Sequence, residues 1–196
     1  MLTNPPPFGS FENGSPRGDE TRHIPEEELL EAFHSLPPAP TDRGTLRFLC
    51  VRRPDGVRER PQSVTLSVED GVEGDRWAPG GKAGVGNQIT VCRHDVAVLS
   101  ANGQDLALFG DNLMVDLDLS TRNLPHGSRL RIGEALLEVT PEPHNGCAKF
   151  KQRFGMGALR LTARKDLRDQ HLRGIHVKVI EGGTVRLGDE VAVVWR

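Results

Sequence analysis

From Thr45 onward the chain is a succession of short apolar runs, each closed by glycine, proline, asparagine or aspartate. Runs that short cannot bury themselves as helices but suit strands of a shared sheet, so the pattern points to a mainly β fold with few helices. Residues 46–51 lead into the turn Pro54-Asp55-Gly56, and residues 63–68 follow. Residues 114–119 alternate strictly, with one apolar and one acidic face, and residues 128–133 and 135–140 read as a hairpin across Gly133-Glu134. Residues 173–180, the turn Glu181-Gly182-Gly183 and residues 184–194 complete the sheet. Helix is expected at residues 95–101, ahead of Asn102-Gly103, and in a basic stretch made of residues 149–154 and 158–169.

With 196 residues, 36% of them hydrophobic, the chain can build one well-buried core and an extension, so a single domain over residues 44–196 is expected. Residues 1–43 form the extension. Its first 22 residues have the proline-, glycine- and charge-rich composition of a disordered tail. A short helix from Pro25 to Phe33 follows, with acids at its start, and Pro37, Pro38 and Pro40 stop it; a strap across the barrel surface is the leading reading, ahead of a lid, a docking segment or a dimer contact. A net charge of −2 gives no global basic field, which argues against nucleic acid, so an anionic ligand must be met by local charge. The three cysteines, Cys50, Cys92 and Cys147, are widely spaced and odd in number, and the N-terminus has no signal-peptide pattern. A reducing cytoplasm is the expected compartment. No apolar run reaches the roughly 20 residues needed to span a bilayer.

Cys50 lies inside a strand run and reads as core. Cys147 stands elsewhere, in Pro141-Glu142-Pro143-His144-Asn145-Gly146-Cys147-Ala148-Lys149-Phe150, where a strand ends and the basic helical stretch begins. Unpaired N–H groups at a helix start, with His144 and Lys149 nearby, favour the thiolate, the form that binds metal or attacks an electrophile. Zinc is not expected: Cys92-Arg93-His94 and the His144/Cys147 pair both miss the spacing of structural zinc ligands. The glycine-rich residues 79–86 do not fit a phosphate-binding P-loop, since Arg76 stands where its first glycine belongs and Ala83 follows Lys82; a mobile surface loop is expected there.

Several segments together resemble the MOSC family, the type of domain found at the C-terminus of molybdenum-cofactor sulfurases. They are Gly74-Asp75-Arg76, Gly110-Asp111-Asn112-Leu113, Leu130-Arg131-Ile132-Gly133, the Pro-x-Pro-His-x-x-Cys-x-Lys-Phe segment, Arg173-Gly174 and the closing Gly188-Asp189. The resemblance implies a β-barrel and a cysteine, here Cys147, that ligates molybdenum or carries sulfur as a persulfide. Stand-alone relatives imply molybdopterin binding and reduction of N-hydroxylated small molecules, with electrons from a partner protein. The sulfur-carrier alternative implies a sulfur-donor protein instead. The aminotransferase-like desulfurase domain of the large sulfurases and the iron–sulfur cysteines of larger relatives are not in this sequence. Soft thiolates suit soft metals, and a phosphate-bearing dithiolene needs cations and donors. In that reading Cys147 is the metal ligand and, with His144, the catalytic pair. Asp75, Arg76, Asn112, Asn145, Lys149 and Arg173 are the candidate cofactor-binding residues.

Overall fold

The structure, a computed structural model, describes residues 16–77 and 84–196. Seven strands close into a barrel in the order β1 (Arg43–Leu49), β12 (Glu190–Trp195), β8 (Arg129–Ile132), β9 (Ala135–Val139), β10 (Ile175–Glu181), β6 (Ile89–Arg93) and β7 (Leu113–Val115), which returns to β1. Neighbours are antiparallel except β6 and β7, and closure leaves no open edge for another chain to pair with. Beside the barrel lie a three-stranded sheet, β11 (Gly183–Arg186), β4 (Ser63–Ser67) and β5 (Gly71–Val72), and the hairpin β2 (Val51–Arg52) with β3 (Arg58–Glu59). Leu46, Ile89, Leu113, Leu130, Leu137 and Val177 are among the fully buried residues that fill the barrel. Each such side chain is worth roughly 1.5–3 kcal/mol relative to exposure.

Most strands sit where the apolar runs predict them. The hairpin across Gly133-Glu134 forms, with Ile132 opposite Ala135 and Gly133 at φ 51°. Three runs are divided differently. The run 46–51 splits at Cys50, which lies in neither strand, between β1 of the barrel and β2 of the hairpin. Of residues 114–119 only Met114 and Val115 join the β7 ladder, although Leu117 and Leu119 are also buried. The chain leaves the ladder at Asp118: its N–H donates to Pro40 O at 2.7 Å, and its carboxylate accepts from Ser120 N–H at 2.9 Å. The run 184–194 breaks at Leu187-Gly188-Asp189 into β11 and β12, which belong to different sheets.

Three helices cover one flank. They are α1 (Glu26–His34), α2 (His94–Ala101) and α3 (Ala148–Ala163), and Leu29, Val96, Ala97, Phe150, Phe154 and Leu161 make a second core with Cys92 and Met114 of the barrel wall. Helix α2 stops at Asn102, which adopts the left-handed conformation, φ 46°. Helix α3 breaks at Gly155, where the basic stretch loses its apolar pattern, and residues 165–170 are a 3-10 turn instead of more α-helix. Helix α1 packs on α2 and α3, and Arg164 holds Glu26 at 3.1 Å.

Of the expected disordered tail, residues 1–15 lie outside the described residues, and the chain from Pro16 is docked on the domain. It is held through its backbone: Gly18 N–H donates to Gln152 Oε1 at 3.1 Å and Asp19 N–H to Gln104 Oε1 at 2.7 Å. Such contacts need no apolar side chains, so composition does not reveal them. The loop expected at residues 79–86 also falls largely outside the described residues; Gly86 O accepts from Thr140 Oγ1. No helix among the described residues is long and apolar enough to cross a membrane.

Candidate functional site

Cys147 is the N-cap residue of α3, with extended backbone at φ −127° and ψ 178°, and its thiol is exposed; Cys50 and Cys92 are buried. Burial pushes the Cys50 thiol up to about 11 and the Cys92 thiol well above its ordinary range, leaving Cys147 as the accessible sulfur. The loop from β9 to α3 places it there. That loop is anchored by His144, whose ring lies 4.6 Å from the His176 ring of β10, and His176 Nδ1 meets Glu142 O at 3.2 Å.

Beneath this loop is a buried charged layer. Asp111 is fully buried and accepts from Arg173 Nη1 at 2.6 Å, while His144 Nε2 stands 3.5 Å from its other oxygen. The Arg173 guanidinium is centred 4.8 Å from the Phe150 ring of α3, a cation–π contact that ties the layer to the helix. Gly174, at φ 107°, makes the arrangement possible: a Cβ there would come within 2.4 Å of Val91 O and 3.1 Å of His144 Nδ1. Burial, then the charge of Arg173 and the neighbouring His176, pushes His144 well below the usual imidazole range, so its ring is neutral.

A second buried knot adjoins the first. Asp75 accepts both Nε and Nη2 of Arg52, at 2.9 and 2.8 Å, together with the N–H groups of Arg52 and Trp77 and the side-chain amide of Asn112 at 3.0 Å. Asn112 also accepts from Thr90 N–H and its hydroxyl. The hydrogen-bonding capacity of Asp75 and Asn112 is thus taken up inside the protein, and these two hold the loops together beneath the site.

Cations converge on the segment between α2 and β7. Arg58 donates to Ala107 O at 2.9 Å, Arg153 to Leu108 O at 2.9 Å and Arg52 to Gly110 O at 3.3 Å. Asp75 and Asp111 are already committed to Arg52 and Arg173. Arg58 and half-buried Arg76 have no ion pair among the described residues, and the Nε atoms of Arg58 and Arg173 are buried donors without an acceptor. The cations raise one another's cost. Burial and then Arg58 push Arg153 down to about 9, and Cys147 acts in the opposite direction; burial and then Arg76 and Arg153 lower half-buried Lys149, again opposed by Cys147. Burial, then Arg52, lowers Arg76. The exposed sulfur therefore shares its surroundings with Lys149 and Arg153, and a positive cluster lies behind it.

Of the residues singled out in the sequence, Cys147, Lys149 and Arg76 fall into this electrostatic neighbourhood. His144 and Arg173 lie in the buried layer under it, and Asn145 is exposed on the loop. Arg52, Arg58, Asp111, Arg153 and His176 were not singled out. Arg153 is one charge of the basic helical stretch 149–154, yet it is 4% exposed. Asp111 sits in a motif already noted, where a buried aspartate beside glycine was the available signal.

The sequence model of the MOSC domain matches residues 88–192. The chain belongs to the MOSC domain family. Solved structures share its fold. The YuaD protein of Bacillus subtilis is 18% identical, with 76% of this chain and 94% of that one covered at a TM-score of 0.57. YiiM of Geobacillus stearothermophilus is 16% identical over 78% of this chain and 76% of that one, at a TM-score of 0.55. A structure described as a hypothetical protein is 20% identical over 79% of this chain and 69% of that one, at 0.57. Comparison with curated proteins finds no match. The candidate site of this MOSC domain lies where its barrel, its helical flank and the β2–β3 hairpin meet. Among the described residues no three His, Cys, Asp or Glu side chains gather as a metal set.

Proposed function

We propose that this MOSC domain binds the molybdenum cofactor and serves as a reductase of N-hydroxylated or related small molecules. The observation that carries the reading is an exposed thiol at a helix start backed by a cluster of arginines, of which Arg58 and Arg76 have no ion pair among the described residues. Molybdopterin carries a phosphate and presents its metal through sulfur, and both demands fit: an exposed soft sulfur ligand at Cys147, and buried Nε donors on Arg58 and Arg173 that lack acceptors among the described residues. Cys147 would be the protein ligand to the metal, and Arg58, Arg76, Lys149 and Arg153 would meet the anionic part. When bound, the cofactor supplies the two-electron redox chemistry, the electrons coming from a donor protein.

The chain's own residues set the stage for that chemistry. Cys147 stands as the N-cap residue of α3, with half-buried Lys149 two residues on. Asp111 and Arg173 hold the His144 loop over the start of α3, and neutral His144 adds no further positive charge to the crowded layer. Asp75, through Arg52 and Asn112, holds the loop that bears Arg76 against β2 and β6.

Protein made in a host that synthesises the cofactor should contain molybdenum near one atom per chain, and Cys147→Ser should lose it. Wild-type protein free of metal and pterin, with a mass increase of about one sulfur atom on Cys147, would overturn the reading in favour of a persulfide carrier.

A further inference from the structure

Helix α3 is two helices joined at Gly155, whose φ of 86° and ψ of 172° are open to glycine alone. The first half begins at Cys147 and carries Lys149 and Arg153. Breaking a helix frees carbonyls, and the Arg153 carbonyl is met by Gln104 Nε2 at 2.9 Å. The N-terminal segment crosses at the same place. A Cβ on Gly18 would lie 2.2 Å from Arg153 O, one on Gly155 would lie 2.8 Å from His23, and one on Gly157 would lie 2.1 Å from Ile24 O. Three glycines, one on the segment and two on the helix, thus permit a contact between backbones along the break. Polar ties fasten it: Gln152 Oε1 takes Gly18 N–H, Gln104 Oε1 takes Asp19 N–H, and Arg153 Nε donates to Pro16 O at 3.0 Å.

We propose that residues 16–24 are a clamp that positions the ligand-binding half of α3, holding the Arg153 guanidinium between the carbonyls of Pro16 and Leu108 and the helix in its broken form. The inference rests on the reading of the site as anion-binding. Arg153 is then a positioning target and not a free surface charge: with Nε and Nη1 both occupied, its long side chain is ordered before an anion arrives, and less conformational freedom is lost on binding. Gln104 couples the two parts, since one amide holds the segment through its oxygen and the helix carbonyl through its nitrogen.

The test uses full-length protein and inorganic pyrophosphate as the anion, its affinity read from protection of Cys147 against iodoacetamide. Burial of Cys50 and Cys92 makes the native reaction report on one thiol. Gly18→Val drives a branched side chain into the Arg153 carbonyl, and pyrophosphate affinity should fall about three- to tenfold, the loss expected for one or two hydrogen bonds. Gln152→Ala, which deletes a single tie and leaves the core intact, should give a smaller loss in the same direction and carries the comparison should the valine variant not fold. In an Arg153→Gln background neither substitution should weaken binding further, because the clamp acts through Arg153. Wild-type affinity in Gly18→Val and Gln152→Ala would overturn the clamp, as would an equal loss in the Arg153→Gln background. Wild-type Cys147 that pyrophosphate does not protect would instead overturn the anion-binding reading.

Discussion

Replacing Asp111 by asparagine keeps the shape of the side chain and removes the carboxylate that pairs with Arg173. The pair is deep in the protein: Asp111 is 0% exposed, Arg173 is 8% exposed, and the contact is 2.6 Å. A buried ion pair broken from one side leaves an uncompensated charge, which costs about 3–5 kcal/mol. The cost should be at the upper end here, because Arg52, Arg58 and Arg153 crowd the same segment and offer the stranded guanidinium only repulsion. At roughly 2–4 °C per kcal/mol for a chain of this size, the melting temperature should fall by about 6–20 °C. Urea unfolding followed by circular dichroism measures the change directly. The double variant Asp111→Leu/Arg173→Met removes both charges and should recover most of the loss, since apolar replacements of a buried pair are often neutral or better. A loss below about 1 kcal/mol in Asp111→Asn, or no recovery in the double variant, would refute the view that this pair is an uncompensated-charge problem solved by Asp111.

Burial holds His144 well below the ordinary value of 6.5, and it lowers His94, His171 and His176 in the same direction. The unfolded chain therefore takes up protons near pH 6.5 that the folded chain resists, so stability is full above that pH and declines as pH falls below it. His144→Asn should flatten that decline by up to about 1.4 kcal/mol per pH unit, and an unchanged slope between pH 6.5 and 5 would show that His144 titrates freely. Gly155→Ala forces a side chain into a glycine-only backbone state and against His23, and should destabilise the protein by about 1–3 kcal/mol in urea unfolding; undiminished stability would mean that the break in α3 is not held in place.

The barrel was legible because burial in a sheet follows a period of two whichever strands pair. Leu117 and Leu119 show the limit: their alternation correctly announced burial, but Asp118 between them makes a turn bond to Ser120 N–H, and the ladder ends at Val115. The pairing of β6 with β7, parallel and across α2, has no local signal either. For the site, Cys147 was legible from its turn-rich surroundings at a strand-to-helix junction. Arg153 was not, since a buried arginine and a solvated one look alike in a basic helical stretch.

By itself, the amino-acid sequence determined a mainly β fold, a thiol placed at a helix start and a chain without a global positive field, because each follows from neighbours close along the chain. Only the tertiary structure decided which charges neutralise one another. Asp75 was spent on Arg52, twenty-three positions away, and Asp111 on Arg173, sixty-two positions away, leaving Arg58 and Arg76 without an ion pair among the described residues. Coulomb attraction depends on distance in space and on exclusion of water, and neither quantity exists until the barrel has closed and the helices have packed against it.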